Sequence, residues 1–223
     1  MLKSTTIKFL KDLKKNNNKA WFDSNRKYYD DAKKDFEGLI QSVIDKQGKN
    51  DKLIAGLKAK ECLFRINRDI RFSKDKTPYK TNLGASINRG GKKSLFAGYY
   101  LHCEPGESFV GGGLWVPMPP ELKKVRQEID YNFPEFKKII CNKKFKSVYG
   151  DLYKGSDATL SKLPHGFEKD NPAADYIKLK SFIAMKKLNE STLGSRDLEK
   201  TVVEAFSALQ PLVEFINRSL EPE

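Results

Sequence analysis

A cation-rich segment of eighteen residues contains the side chains of this sequence that are best suited to chemistry. Residues 65–82 read RINRDIRFSKDKTPYKTN and carry six basic side chains against two aspartates: Arg65, Arg68, Arg71, Lys74, Lys76 and Lys80 against Asp69 and Asp75. Three arginines that share one nearby aspartate cannot all be neutralised locally. An unpaired guanidinium donates two parallel hydrogen bonds to a phosphate or carboxylate. The segment therefore predicts an anion-binding site.

The polar side chains of this segment have separate expected roles. Asp69 would orient the arginines, and Lys76 and Lys80 would add mobile positive charges to the ligand. Tyr79 would supply a hydroxyl group from a loop that Pro78 holds in place. The predicted anion-binding residues are Arg65, Arg68, Asp69, Arg71, Lys76, Tyr79 and Lys80. A catalytic base is not identified.

A purely structural role for the same arginines is the competing interpretation. Carboxylates of the second predicted helix, Asp23, Asp30 and Asp31, could pair with them in a salt-bridge network. Such networks perturb charges as functional sites do. In that case the protein would be a structural or interaction protein, and we favour the anion site over this alternative.

The distribution of charge also indicates an anionic partner. The chain of 223 residues has a net charge of +13, and residues 1–100 carry 24 basic and 11 acidic side chains, which accounts for all of it. An anionic small molecule is favoured over nucleic acid, because no helix-turn-helix, zinc-finger or RNP-type motif is present. The alternative is a non-enzymatic, sequence-tolerant nucleic-acid-binding module. The favoured hypothesis includes an enzyme acting on a phosphorylated small molecule.

Other residue types argue against several classes of chemistry. The two histidines, His102 and His165, lie far apart in sequence without ligand-spaced neighbours, so no metal site is predicted. Three isolated cysteines without CxxC spacing are expected to be reduced thiols. The Gly111–Gly113 run lacks the context of a phosphate loop and is expected to mark a bulge or a close contact between strands. No motif identifies a cofactor.

The pattern of apolar residues predicts an α+β fold with a central antiparallel meander sheet flanked by N-terminal and C-terminal helices. We expect a single domain over residues 1–223, with helices at about 6–47, the sheet at about 60–116, and helices and loops at about 120–223. Alternation from Phe64 to Phe72 predicts a strand that leads into the cationic loop. Further strands are expected at 83–88, 95–103, 103–115 and 181–185.

The second half of the chain is predicted from its prolines and its periodicity. Pro119 and Pro134 each begin a short helix, since proline is tolerated in the first turn. Residues 145–172 are expected to be mainly loop. Ser195 is expected to cap a long final helix that Pro211 kinks.

Hydropathy excludes a membrane span. No apolar run approaches about 20 residues, and the first fifteen residues carry lysines throughout. A cytoplasmic protein without membrane contact is expected, and its oligomeric state is not indicated.

The cationic segment also carries a resemblance to a known family. Its pattern R-x-x-R-D-x-R-F, followed by Lys-x-x-Tyr, is similar to the signature of the bacterial and fungal domain of unknown function 2461. Further agreement lies in Trp21-Phe22, Asn25, Gly98-Tyr99-Tyr100, Gly112-Gly113 and Leu163-Pro164, and it covers about residues 7–187. The resemblance implies a shared fold and no assigned activity. Asn171 stands where many members have histidine, so no acid–base role is expected at this position.

Overall fold

A four-stranded antiparallel sheet lies at the centre of the protein. The computed structural model describes residues 1–221. The strands are β1 Leu83–Asn88, β2 Gly98–Cys103, β3 Phe109–Leu114 and β4 Phe182–Lys187, and their order in the sheet follows their order in the chain. Helices precede and follow the sheet, so the predicted α+β class and meander are confirmed.

Ten helices accompany the sheet within residues 1–221. They are α1 Ser4–Lys15, α2 Lys19–Ser24, α3 Arg26–Gln47, α4 Ala59–Cys62, α5 Pro119–Tyr131, α6 Phe133–Ile140, α7 Lys143–Tyr149, α8 Ala174–Ile177, α9 Glu190–Leu193 and α10 Leu198–Leu220. The two longest, α3 and α10, contact each other and the sheet. None of the helices in this range is both long enough and apolar enough to cross a bilayer.

The two faces of the sheet differ in chemistry because side chains alternate along each strand. Tyr99, Leu101 and Val110 point to the inner face and are fully buried. There α10 packs across β2 and β3, with the Tyr99 ring 4.8 Å from the ring of Phe206. Tyr100 and the other even-numbered residues of β2 belong to the outer face.

Gly112 allows α10 to approach the sheet closely. It is in β3 with a φ of +154°, and a Cβ atom there would lie 2.8 Å from a methyl carbon of Leu209 and 2.1 Å from the carbonyl oxygen of Gly98. The glycine run is therefore part of a strand that a helix and a neighbouring strand contact closely, in agreement with the expectation for it.

The predicted strand from Phe64 to Phe72 is wrong. The segment makes one isolated bridge, Asn67 to Tyr79, and a second bridge, Leu63 to Ala85, lies just before it. Between these two bridges there are four residue steps on one strand side and six on the other, and no regular ladder joins them. Phe72 is 95% exposed instead of packed on a sheet.

Several element boundaries also differ from expectation. The second helical pattern is divided into α2 and α3 at Asn25. The predicted loop from residue 145 begins inside α7. The final helix begins at Leu198 with Asp197 at its N-cap, and no side chain caps it; Ser195 instead accepts a hydrogen bond from the Asp197 amide at 3.1 Å.

Candidate functional site

The cationic segment is an irregular hairpin held at its base and open at its tip. The amide of Arg68 donates to the carbonyl of Pro78 at 2.9 Å, and the amide of Lys80 donates to the carbonyl of Ile66 at 2.8 Å. The Asn17 side chain, between α1 and α2, bonds both the amide and the carbonyl of Tyr79, at 3.1 and 2.8 Å. These bonds fix the residues next to the loop of residues 69–77.

Tyr79 anchors the hairpin to the core. Its side chain is buried, and its ring stacks on the ring of Phe22 in α2 with centroids 3.9 Å apart. Packing therefore explains the tyrosine of the sequence pattern, because its ring joins the segment to the N-terminal helices.

Arg71 is paired with the aspartate expected to orient the cluster. Its Nε and one terminal nitrogen donate to the two carboxylate oxygens of Asp69 at 2.9 and 2.7 Å. The hydrogen bonds from Arg71 hold the pKa of Asp69 below its usual value. The pair is solvent-exposed, with 75% of the Arg71 side chain accessible.

Arg68 is paired with the second aspartate of the segment. Its guanidinium contacts the carboxylate of Asp75 and the hydroxyl of Thr77, and it donates to the Thr77 carbonyl at 3.2 Å. The Thr77 amide donates to Asp75 at 2.9 Å. The hydrogen bond from this amide has the largest effect on Asp75, and the hydrogen bond from Arg68 has the next largest. Together they lower the pKa of Asp75 to about 2.

The acid partners of the arginines come from inside the segment. Two of the aspartates that the competing interpretation named as partners pair elsewhere: Asp23 of α2 with Lys19 at 2.5 Å and Asp30 of α3 with Arg26 at 3.9 Å. A local network of two ion pairs therefore exists, and it leaves Arg65 out.

Arg65 and Lys80 are two neighbouring cations that make no ion pair with a carboxylate of residues 1–221. Arg65 is exposed, and Lys80 is half-buried with its Nζ 5.2 Å from the centre of the Phe64 ring. Burial lowers the pKa of Lys80, and the positive charge of Arg65 lowers it further. Of the predicted site residues, this pair has the least compensated charge.

The remaining predicted lysine is satisfied by the backbone. The Nζ of Lys76 donates to the carbonyl of Ile70 at 3.0 Å across the tip of the loop. It therefore helps to close the loop.

A polar cluster on the outer face of the sheet was missed in the sequence analysis. Nε2 of His102 lies 3.2 Å from the Oε2 of Glu104, and Nδ1 lies 3.3 Å from both the Tyr100 hydroxyl and the Asn82 amide nitrogen. Thr81 donates to Oε1 of Glu104 at 2.7 Å. We call Asn82, Tyr100, His102 and Glu104 the histidine cluster.

The contacts of His102 favour one tautomer of its neutral ring. A carboxylate only accepts hydrogen bonds, so the neutral ring would carry its proton on Nε2, beside Glu104, and Nδ1 would accept from Tyr100 or Asn82. Burial raises the pKa of Glu104, but hydrogen bonds from Thr81 and His102 and the charge of Lys14 outweigh it and leave that pKa lowered. Burial raises the pKa of Tyr100 to about 12. At neutral pH the carboxylate is ionised and the phenol is protonated.

The histidine cluster has a signal in the sequence. Tyr100, His102 and Glu104 are two residues apart, so a strand places their side chains on one face. We considered His102 as a metal ligand and did not connect it with Tyr100 or Glu104. Within residues 1–221 no three His, Cys, Asp or Glu side chains are grouped to hold a metal ion.

Asn171, the position at which the resemblance implies a histidine in many family members, makes structural contacts here. Its side-chain nitrogen donates to Asp130 of α5 at 2.5 Å, and its oxygen accepts from the Ala173 amide at 2.7 Å. These bonds join the loop before α8 to α5.

Comparison with known proteins gives one match, to a protein family. Neither the curated proteins nor the solved structures include a match to it. A family model described as "Conserved hypothetical protein (DUF2461)" matches residues 5–215. The match includes the cationic segment, the whole sheet and most of α10. The chain therefore belongs to this family of conserved hypothetical proteins.

Proposed function

We propose that this protein binds a small anion, a phosphate or carboxylate group, between Arg65 and Lys80. The observation that carries the proposal is that neither of these two neighbouring cations makes an ion pair with a carboxylate of residues 1–221. Lys80 is half-buried and has a lowered pKa, caused first by burial and then by Arg65. An anion between Arg65 and Lys80 would offset the repulsion between their charges, and it would accept charge-assisted hydrogen bonds from both side chains.

The neighbouring ion pairs support the same site. Arg71 and Asp69 form an exposed pair, and such pairs contribute little stability, so a ligand can recruit Arg71 at low cost. Arg68 and Asp75 stabilise the loop that carries Arg71. In this proposal Lys76 and Tyr79 support the site by closing the loop and anchoring the hairpin.

Isothermal titration calorimetry with inorganic phosphate tests the proposal. We expect Arg65→Gln and Lys80→Gln each to weaken phosphate binding about tenfold or more, because a hydrogen bond to a charged group contributes about 1.5–3 kcal/mol. Arg196→Gln and Lys93→Gln are matched controls, since both residues are exposed and lie outside the cationic segment. Their affinities should stay within about twofold of the unmodified protein.

Two outcomes would contradict the proposal. One is equal loss of phosphate binding in the control variants, which would indicate a nonspecific charge effect. The other is tight binding of a short single-stranded oligonucleotide that weakens steeply between about 50 and about 200 mM salt while phosphate does not bind. That result would favour the nucleic-acid-binding alternative.

A further inference from the structure

We propose that the histidine cluster is a general-base site and that the protein hydrolyses a phosphoric monoester held by Arg65 and Lys80. This inference rests on the proposed anion site. It adds a reaction to that site, and it assigns Tyr100, His102 and Glu104 the task of activating water.

The first argument is the order of groups in the cluster. A carboxylate contacts one nitrogen of an imidazole, and a hydroxyl contacts the other nitrogen, at 3.2 and 3.3 Å. Enzymes activate oxygen nucleophiles with this spatial order of groups: a hydroxyl, then an imidazole base, then an acid that orients the imidazole.

The second argument is that the arrangement is held rigidly. The His102 ring stacks on the Phe109 ring with centroids 4.8 Å apart and planes 12° from parallel. Glu104 is fixed by Thr81 as well as by His102. The side chains of His102 and Glu104, which we call the dyad, are each 16% exposed, so both remain accessible to a ligand.

The third argument is that the cluster adjoins the cationic pair. Lys80, Thr81 and Asn82 are consecutive, and the last two donate hydrogen bonds to Glu104 and to His102. Phe64 joins the two groups from the other side, because its ring contacts Lys80 at 5.2 Å and the Tyr100 ring at 6.2 Å. Residues 80–82 therefore supply both a cation of the anion site, Lys80, and the two side chains that donate to Glu104 and His102.

The reaction follows from these positions. A water beside Tyr100 gives a proton to the phenolic oxygen while the phenolic proton passes to Nδ1 of His102. The electron pair of the broken water O–H bond forms the bond to phosphorus. The ester P–O bond breaks with its electrons on the leaving oxygen, which takes a proton from a solvent water. The hydroxide left by that water takes the proton held on His102, which returns through Tyr100.

Each charge that develops has a partner in the site. Negative charge grows on the phosphoryl oxygens, where Arg65 and Lys80 would stabilise it. Positive charge develops on His102, where the ionised Glu104 stabilises it. Glu104 is a positioning residue, since it acts only through the imidazole.

Hydrolysis of 4-nitrophenyl phosphate by the full chain tests this inference. We expect the purified protein to release 4-nitrophenol faster than buffer alone. His102→Gln should reduce kcat/KM about 100-fold or more, the usual contribution of a general base. His165→Gln is the matched control, because His165 is the other histidine and is exposed; its rate should equal that of the unmodified protein.

Nitrogen-15 NMR of the two imidazoles separates a chemical role from a structural one. We expect His102 to carry its proton on Nε2, and we expect inorganic phosphate to shift the ring signals of His102 but not those of His165. Glu104→Gln should change the signals of His102 and reduce hydrolysis, even if the variant has the same melting temperature.

The outcomes distinguish this inference from the anion site on which it rests. If phosphate binding depends on Arg65 and Lys80 but 4-nitrophenyl phosphate is not hydrolysed, the anion site stands and the general-base site is wrong. Hydrolysis that His102→Gln leaves unchanged also overturns the inference. Loss of phosphate binding in the controls overturns both.

Discussion

Gly84 of β1 lies beside the hydroxyl of Tyr100 in β2, with no side chain between them. A Cβ atom at residue 84 would lie 2.6 Å from this hydroxyl oxygen and 3.3 Å from the Cζ of Tyr100. Gly84 also pairs directly with His102 in the β1–β2 register. The absence of a side chain therefore leaves the space in which Tyr100 reaches His102.

Gly84→Ala should displace the Tyr100 hydroxyl and destabilise the fold. We expect a loss of about 1–3 kcal/mol in the free energy of unfolding, the usual cost of overpacking. A double-mutant cycle with Tyr100→Phe provides the control, since removal of the hydroxyl removes the closest contact. The alanine should cost less in the Tyr100→Phe background. An equal cost in both backgrounds would show that the hydroxyl does not fill this space.

Tyr99→Phe should destabilise the inner face of the sheet. The Tyr99 hydroxyl donates to the carboxylate of Asp51 at 2.7 Å, and both side chains are buried. Without this donor a buried carboxylate oxygen loses its partner, which costs about 1–3 kcal/mol. Urea denaturation measures the change. Tyr131→Phe, at a site 75% exposed, should change the unfolding free energy by less than about 0.5 kcal/mol.

The turn at Asp75 should survive moderate acidification. The pKa of Asp75 in the folded protein is lowered to about 2, so its interactions contribute stability above its unfolded value of about 4. That contribution is lost as the pH falls through about 2. The amide proton shift of Thr77 should report this midpoint by NMR, and Asp75→Asn should abolish the transition. A midpoint near the unfolded value would mean that the turn is not formed in solution.

The cysteines should differ strongly in reactivity. Cys141 is exposed, whereas burial raises the pKa of Cys62 to about 11 and that of Cys103 to about 12. The thiolate is the reactive form, so the native protein should show one rapidly reacting thiol with Ellman's reagent and three in guanidinium chloride. Cys141→Ser should remove the rapid phase. A second rapid thiol in that variant would indicate that the core around Cys62 or Cys103 opens.

Much of the fold could be predicted from local patterns. Helical spacing of apolar residues located α1, α3 and α10, and alternation with turn residues located β1 and β2. These patterns are local because a buried face repeats every 3.6 residues in a helix and every two in a strand. The segment from Phe64 to Phe72 also alternates, but it is not a strand. Residues 79–85, which face it, contain two more residue steps between the two bridges than residues 63–67 do, and no local pattern reveals this difference.

The sequence by itself determined the cationic composition of residues 65–82 and the meander that follows them. Only the tertiary structure decided which of these cations are compensated, because ion pairing depends on side-chain positions that a charge count does not contain. Arg68 and Arg71 are neutralised within the loop, whereas Arg65 and Lys80 lie together without a carboxylate partner among residues 1–221. Folding also placed Asn82, the residue before β1, against His102 of β2, because the register of the two strands sets their distance.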